Sequence, residues 1–247
     1  MTNVIELHNV SKKYAKSSRY SLEELSFSIV KGEKLGVFGP NGAGKTTLMS
    51  ILCRIIPQTS GDVHYRDNDK NVSNKEFLNS IGYVPQDFSF YSELSPYQNL
   101  RYFGTLYNIP KAELKSRIEK LLTVLGLNQV MHKKVQTFSG GMKRRVNLAI
   151  GIINNPSILF LDEPTVGVDV QSKNAIMTYL EELNKNGTTI IYTSHHLNEA
   201  EEFCDKIVLL DHGKLIAHDD LKALISKHNA EDLQALFLQL TGIAYRD

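Results

Sequence analysis

Nine consecutive residues, Gly39-Pro40-Asn41-Gly42-Ala43-Gly44-Lys45-Thr46-Thr47, contain the pattern G-x-x-x-x-G-K-[ST]. Glycines at this spacing let the main chain curl until successive N–H groups face one spot, where they form an anion nest. A helix starting at the end of such a loop points its positive end at the same spot. Lys45 adds a mobile positive charge for β- and γ-phosphates, and the Thr46 hydroxyl is placed to hold Mg²⁺. The chemistry expected is the binding of a nucleoside triphosphate.

Further along, Asp162-Glu163-Pro164 closes the apolar run Ile158-Leu159-Phe160-Leu161. Adjacent carboxylates at the end of a buried strand are costly unless they do work. In an open α/β sheet the carboxyl ends of the strands are where ligands bind. Asp162 suits a Mg²⁺-linked role, and Glu163 suits a base that polarises an attacking water. Thr193-Ser194-His195-His196 ends another apolar run, and a histidine there is a natural proton relay. Spacing alone leaves His195 and His196 both open. A second anion-accepting feature is Ser139-Gly140-Gly141, where Ser139 is a good N-cap and the two glycines leave first-turn N–H groups uncovered.

The elements that must position these groups follow from periodicity. Lys34–Phe38 reads as a buried strand entering the glycine loop, and the residues after Lys45 read as a helix. Val4–Val10 and Leu22–Ile29 alternate, which predicts a small antiparallel sheet. Tyr14, between them, is placed either to reach an adenine or to sit partly buried on that sheet. Asp62–Tyr65 and Ile81–Val84 read as strands, and polar Asp67–Lys75 as a surface loop. From Ser95 to Leu127 apolar residues recur at helical spacing, punctuated by Pro110 and Gly126. Another helix is expected from Ser139 to about Asn155, and one from Gln171 to Asn184. Strands are expected at Thr188–Tyr192 and Lys206–Leu210, a hairpin turn at Asp211–Lys214 and a returning strand at Leu215–Ala217. The tail helix carries the stripe Leu233, Leu236, Phe237, Leu240, which would pack on the body or meet a partner. The expected fold is α/β, a P-loop NTPase (RecA-like) core with an antiparallel β subdomain and an inserted α-helical subdomain. Residues 1–86 and 156–218 would form the core with its β subdomain, 87–155 the helical subdomain and 219–247 the C-terminal helices, all within one domain.

The chain has 247 residues, enough for a substantial core. With 28 Lys+Arg against 27 Asp+Glu it lacks the charge excess of a nucleic-acid binder, so no nucleic-acid partner is expected. Lys143-Arg144-Arg145 reads as a solvated helix face or a partner contact. Cys53 and Cys204 lie in apolar-rich helical stretches and read as reduced core thiols. There is no signal-peptide layout at the N-terminus and no membrane-spanning run, so any membrane function would need another chain.

With these motifs in this order, nearly the whole chain resembles the nucleotide-binding subunit of an ABC transporter. The resemblance implies that Gly39–Thr47 bind ATP phosphates, that Tyr14 stacks on adenine, and that Gln86 contacts Mg²⁺ and the attacking water. It implies that Ser139-Gly140-Gly141-Met142 is the signature motif and Asp169 the D-loop aspartate. It makes Asp162 and Thr46 Mg²⁺ residues and Glu163 the catalytic glutamate. It also selects His195 over His196 as the switch histidine, because Glu199-Ala200-Glu201 follows at the family's interval. Two departures stand out: Met142 replaces the usual Gln, and Val166 and Val168 replace a small polar residue and a Leu in the D-loop.

What the resemblance implies functionally is an ATPase on the cytoplasmic face of the membrane, driving a separate polytopic permease and pairing head to tail with a second ATPase subunit, most simply a copy of itself. In that pair the signature of one subunit contacts the ATP held by the other. Phe90 and Tyr91, after Gln86, are either permease contacts or core. Ser-Gly-Gly-Met-Lys-Arg-Arg is similar to the exporter branch with type-2 permeases. An ABC ATPase not coupled to transport, for example in cofactor assembly, is the alternative.

Overall fold

The computed structural model describes residues 2–15, 17–67, 70–194 and 197–242. In chain order the strands are β1 (Asn3–Lys12), β2 (Leu22–Val30), β3 (Lys34–Phe38), β4 (Ser60–Asp67), β5 (Lys70–Asn71), β6 (Ile81–Val84), β7 (Ile158–Asp162), β8 (Thr189–Thr193), β9 (Lys206–Asp211) and β10 (Lys214–Asp220). The helices are α1 (Lys45–Leu52), α2 (Asn74–Ser80), α3 (Pro96–Leu106), α4 (Lys111–Val124), α5 (Gly140–Gly151), α6 (Val170–Lys185), α7 (Leu197–Phe203), α8 (Leu221–His228) and α9 (Leu233–Thr241). The chain divides into two compact units, residues 1–77 with 189–247, and residues 78–188.

In the first unit, β1 pairs antiparallel with both β2 and β4, and β4 with β5. The alternation read from the sequence is physical here: Ile5, Leu7, Leu25 and Ile29 are buried while His8, Asn9 and Glu24 are exposed. β3 lies between β8 and β9, parallel to both, and β10 returns antiparallel on β9. Four of the five β3 residues are buried, as a strand flanked on both sides requires. α9 packs against α7 and α8 through Leu233, Leu236 and Phe237, so the tail stripe belongs to this unit's core, with Leu240 only half-buried. Cys53 and Cys204 are buried free thiols.

In the second unit, β6 pairs parallel with β7, whose residues are all buried. α3 packs on α4 and α5, and α5 on α6. Leu100, Ile118, Leu122 and Leu125 from the predicted helical stripe are buried, as are Val146, Ala149 and Ile153 after the Ser-Gly-Gly motif. Gly104 lies where a Cβ would come 2.2 Å from Leu114, which lets α3 and α4 approach closely.

Two sequence expectations are corrected. The stretch Asp67–Lys75 is not all loop, because α2 begins at Asn74. Ser73 and Glu76 form a reciprocal cap there: the Glu76 N–H donates to Ser73 Oγ at 3.3 Å, and the Ser73 N–H to Glu76 Oε2 at 3.0 Å. That capping box was present in the sequence as Ser-x-x-Glu, and the polar composition of the stretch concealed it. Finally, Lys143-Arg144-Arg145 is not a solvated face, since Arg144 is only 8% exposed.

Candidate functional site

The first unit holds the glycine loop. β3 delivers the chain into Gly39, a turn follows in which the Ala43 N–H donates to the Pro40 carbonyl at 3.0 Å, and α1 starts at Lys45. Gly44 is the helix cap at φ 107°, and a Cβ on it would lie 2.5 Å from the Ser21 carbonyl oxygen. No other residue type satisfies both the left-handed backbone and that close approach. The β9–β10 turn braces the loop from outside: the Gly213 N–H donates to the Ala43 carbonyl at 3.0 Å. Nothing in the sequence pointed to this brace, which pairs residues remote along the chain.

Lys45 is buried, and its Nζ donates to the Gly39 carbonyl at 2.7 Å and the Pro40 carbonyl at 3.3 Å. Its ammonium is thus folded across the loop that is expected to cradle phosphate. Asn41, Gly42 and Thr46 are exposed beside it. Tyr14 is 44% exposed, so part of its ring is open. Its hydroxyl lies 3.4 Å from Thr47 Oγ1, and the Lys12 ammonium sits 5.4 Å from its ring. An exposed ring tethered to the phosphate loop suits a flat stacking partner.

The second unit gathers most of the remaining predicted residues. Asp162 ends β7, and Glu163 follows it at φ 52°, a left-handed backbone rare for a side chain of this size. Glu163 is 4% exposed, and Gln86 Nε2 donates to its Oε2 at 2.8 Å. Strain and burial together at one carboxylate are typical of a functional position. Ser139 caps α5, its Oγ accepting from the Met142 N–H at 3.3 Å. Ser139 and Gly140 are exposed and Gly141 is buried, so the start of α5 is open at the first two of the three residues only. Gly141 lies against the start of α6, where a Cβ would fall 2.4 Å from Ser172 Oγ and 2.7 Å from Asp169 Oδ2.

Asp169 is itself the cap of α6. Its two oxygens accept from the Ser172 N–H at 2.9 Å and the Ser172 hydroxyl at 2.7 Å. The Ser172 main-chain bond is the first cause that holds the Asp169 carboxyl below its usual range. His195 and His196 lie outside the described residues.

Sequence reasoning missed two residues of α5. Arg144 donates from Nη1 to the Gln86 carbonyl and from Nε to the Val166 carbonyl at 3.3 Å. One helical turn on, Asn147 donates from Nδ2 to the Pro85 carbonyl at 3.1 Å and accepts from the Ser89 N–H at 3.0 Å. Their signal in the sequence was slight, since Arg144 sits inside a basic run and Asn147 is one polar residue among apolar ones.

The Mg²⁺ implied by the resemblance requires oxygen ligands. Thr46, Gln86 and Asp162 offer a hydroxyl, an amide oxygen and a carboxylate. Gln86 turns its nitrogen to Glu163, which leaves its oxygen as the end suited to a cation. Among the described residues no group of three or more His, Cys, Asp or Glu side chains could hold a metal ion.

The sequence pattern of the ABC transporter family matches residues 22–166, more than half of the chain. The chain belongs to that family. A curated ABC relative is the linearmycin resistance ATP-binding protein LnrL of Bacillus subtilis, 38% identical over 240 residues, covering 97% of this chain and 76% of that one. Another is the Nod factor export ATP-binding protein I of Sinorhizobium fredii, 34% identical over 233 residues, covering 94% of this chain and 67% of that one. Among solved structures, a dimeric ATP-binding cassette in a post-hydrolysis state with ADP and Pi is 27% identical, with a TM-score of 0.78, covering 88% of this chain and 98% of that one. The matched residues span parts of both units, with the glycine loop in the first and β6, β7 and α5 in the second.

Proposed function

We propose that this chain is the ATP-hydrolysing subunit of a membrane exporter, which drives a separate polytopic permease by pairing head to tail with a second ATPase subunit. The observation that carries the reading is the Gln86–Glu163 contact, which puts an amide against a buried, strained carboxylate at the end of β7. In this reading Gly39–Thr47 take the ATP phosphates, with Lys45 as their mobile charge and Tyr14 against the adenine. Thr46, Asp162 and Gln86 hold Mg²⁺, which supplies charge neutralisation on the phosphate oxygens when bound. Glu163 orients and deprotonates the attacking water, aided by Gln86 and by His195. Ser139, Gly140 and Gly141 present their open helix terminus to the ATP of the other subunit, and Asp169 shapes that boundary. Two-fold symmetry then completes both sites at once.

Export is favoured by the Nod factor relative and by the Ser-Gly-Gly-Met-Lys-Arg-Arg form of the signature. Among the described residues no helix is long and apolar enough to cross a membrane. Attachment to the cytoplasmic face of the membrane through the permease is part of the same reading. Phe88 and Tyr91 are exposed next to Gln86 and suit a permease contact. Phe90 stacks on Phe88 with ring centroids 5.2 Å apart.

The test is affinity purification of the tagged chain from detergent-solubilised membranes. The expected result is a complex containing a polytopic membrane protein whose addition stimulates ATP turnover. Recovery of the chain only in assemblies without a membrane protein overturns the transport reading in favour of an uncoupled ATPase.

A further inference from the structure

The loop that carries Gln86 is held at its main chain, and the holder is the signature helix. From α5, Arg144 takes the Gln86 carbonyl, and Asn147 takes the Pro85 carbonyl and the Ser89 N–H. The Ser89 hydroxyl adds a bond to Asn147 Oδ1 at 3.1 Å. Both side chains are buried, Asn147 with 1% exposure. The Arg144 guanidinium also lies 4.9 Å from the centre of the Phe88 ring and reaches the Val166 carbonyl in the D-loop. Burial of a cation needs compensation. Here Glu163 and Asp87 supply it electrostatically, while burial pushes the guanidinium below its ordinary range.

These contacts form one chain of bonds. Arg144 fixes the Gln86 backbone, the Gln86 amide reaches Glu163, and Arg144 also anchors the segment just after Glu163. A loop free to shift by an ångström would carry the Gln86 amide out of hydrogen-bond range of the carboxylate. Arginine suits this place and lysine does not: the planar fork makes two directed N–H bonds while its face stacks on an aromatic ring.

We infer that Arg144 is a positioning residue for ATP hydrolysis, clamping the Gln86 loop and the D-loop to the signature helix, with Asn147 as the second jaw of the clamp. The inference rests on the reading of Gln86 and Glu163 as hydrolytic residues. It makes α5 more than a carrier of the Ser139–Gly141 terminus, because any shift of that helix drags Gln86 with it.

The test is a double-mutant cycle in the full chain, with kcat and KM for ATP measured for wild type, Arg144→Gln, Gln86→Ala and the double variant. Arg144→Gln is expected to lower kcat about ten- to a hundredfold, the scale of a misplaced reacting group, with KM within about twofold. In the Gln86→Ala background the same substitution is expected to lower kcat by less than about twofold, because the group it positions is gone. Arg144→Lys, which keeps the charge and loses the fork, is expected to stay closer to Arg144→Gln than to wild type.

An unchanged kcat in Arg144→Gln, or an equal loss with and without the Gln86 side chain, overturns the inference. If Arg144→Gln does not fold, Arg144→Lys and Asn147→Ala take its place in the same cycle under the same criteria. A Glu163→Gln control separates the two layers: full turnover there defeats the hydrolytic reading itself, whatever the cycle shows.

Discussion

Gln86 and Glu163 stand 77 positions apart in the chain and 2.8 Å apart in space. The amide nitrogen of Gln86 covers one oxygen of a carboxylate that is almost wholly buried and whose backbone is left-handed. The amide donor compensates that carboxylate oxygen for lost water, and the Arg144 guanidinium interacts electrostatically with the same carboxylate. In the proposed function this pair presents the base that acts on water.

Replacing that base leaves the phosphate loop intact. Glu163→Gln is expected to retain ATP affinity within about threefold and to lower turnover at least about a hundredfold, the usual worth of a general base. Size-exclusion chromatography with ATP should then show a persistent dimer. Wild-type turnover in the variant would remove Glu163 from this role.

Tyr14 is the residue expected to read the base rather than the phosphates. Removing one aromatic stacking face, worth about 1 kcal/mol, should weaken ATP binding about three- to tenfold in Tyr14→Ala. Tripolyphosphate has no ring to stack, so calorimetry should register less than about a twofold change for it. Equal losses for both ligands would assign Tyr14 to bracing Thr47 through its hydroxyl.

Ser139 does two things that separate substitutions can distinguish. Its hydroxyl caps α5, and Ser139→Ala is expected to cost about 1 kcal/mol of stability while leaving ATP-dependent pairing in place. Ser139→Arg adds bulk at an exposed helix terminus, and is expected to abolish the ATP-bound dimer in the Glu163→Gln background while monomeric chains still bind nucleotide. A normal dimer in Ser139→Arg would refute a site shared between subunits.

His218, on β10, gives the protein an acid-sensitive element away from this chemistry. Among the described residues its Nε2 has no hydrogen-bond partner, and burial first, then the neighbouring Lys206, pushes its pKa below 6.5, against a smaller opposing pull from Asp219. Lys206 in turn lies 3.2 Å from the buried Glu33 carboxylate. A depressed histidine pKa means that below pH 6.5 the unfolded chain takes up a proton that the folded chain does not. The stability tied to neutral His218 is therefore present above that pH and is lost as pH falls through the folded value. Burial raises the Glu33 carboxyl above 4.5, and this acts the other way: its contribution is present below 4.5 and is lost as pH rises through the folded value. Comparing variant with wild type isolates the histidine. His218→Gln should narrow the difference in melting temperature between pH 8 and pH 5.5, and an unchanged difference would contradict this.

Much of this protein could be read from local pattern. β3, the glycine loop and α1 were legible because a strand, a nest and a helix start each depend on neighbours within a few residues. The same holds for the buried β7 with its terminal carboxylates, and for the apolar stripes of α3, α4 and α9. α2 was equally local, yet its capping box was outweighed by the polarity of the stretch around it. Arg144 was misread for a different reason. A basic run says nothing about which of its members faces inward, and that depends on what packs against the helix.

The sequence by itself determined which chemical groups the chain owns and in what order: Lys45, Thr46, Gln86, the Ser139 terminus, Asp162 and Glu163. Tertiary structure alone decided who holds whom. It folded the Lys45 ammonium across the Gly39 and Pro40 carbonyls, set the β9–β10 turn against Ala43, and buried Arg144 on the Gln86 main chain. Motifs are legible because a nest, a cap or a strand end is made by adjacent residues. Contacts such as Gln86 with Glu163 exist only after distant segments pack, when burial leaves each polar group with few partners left to choose.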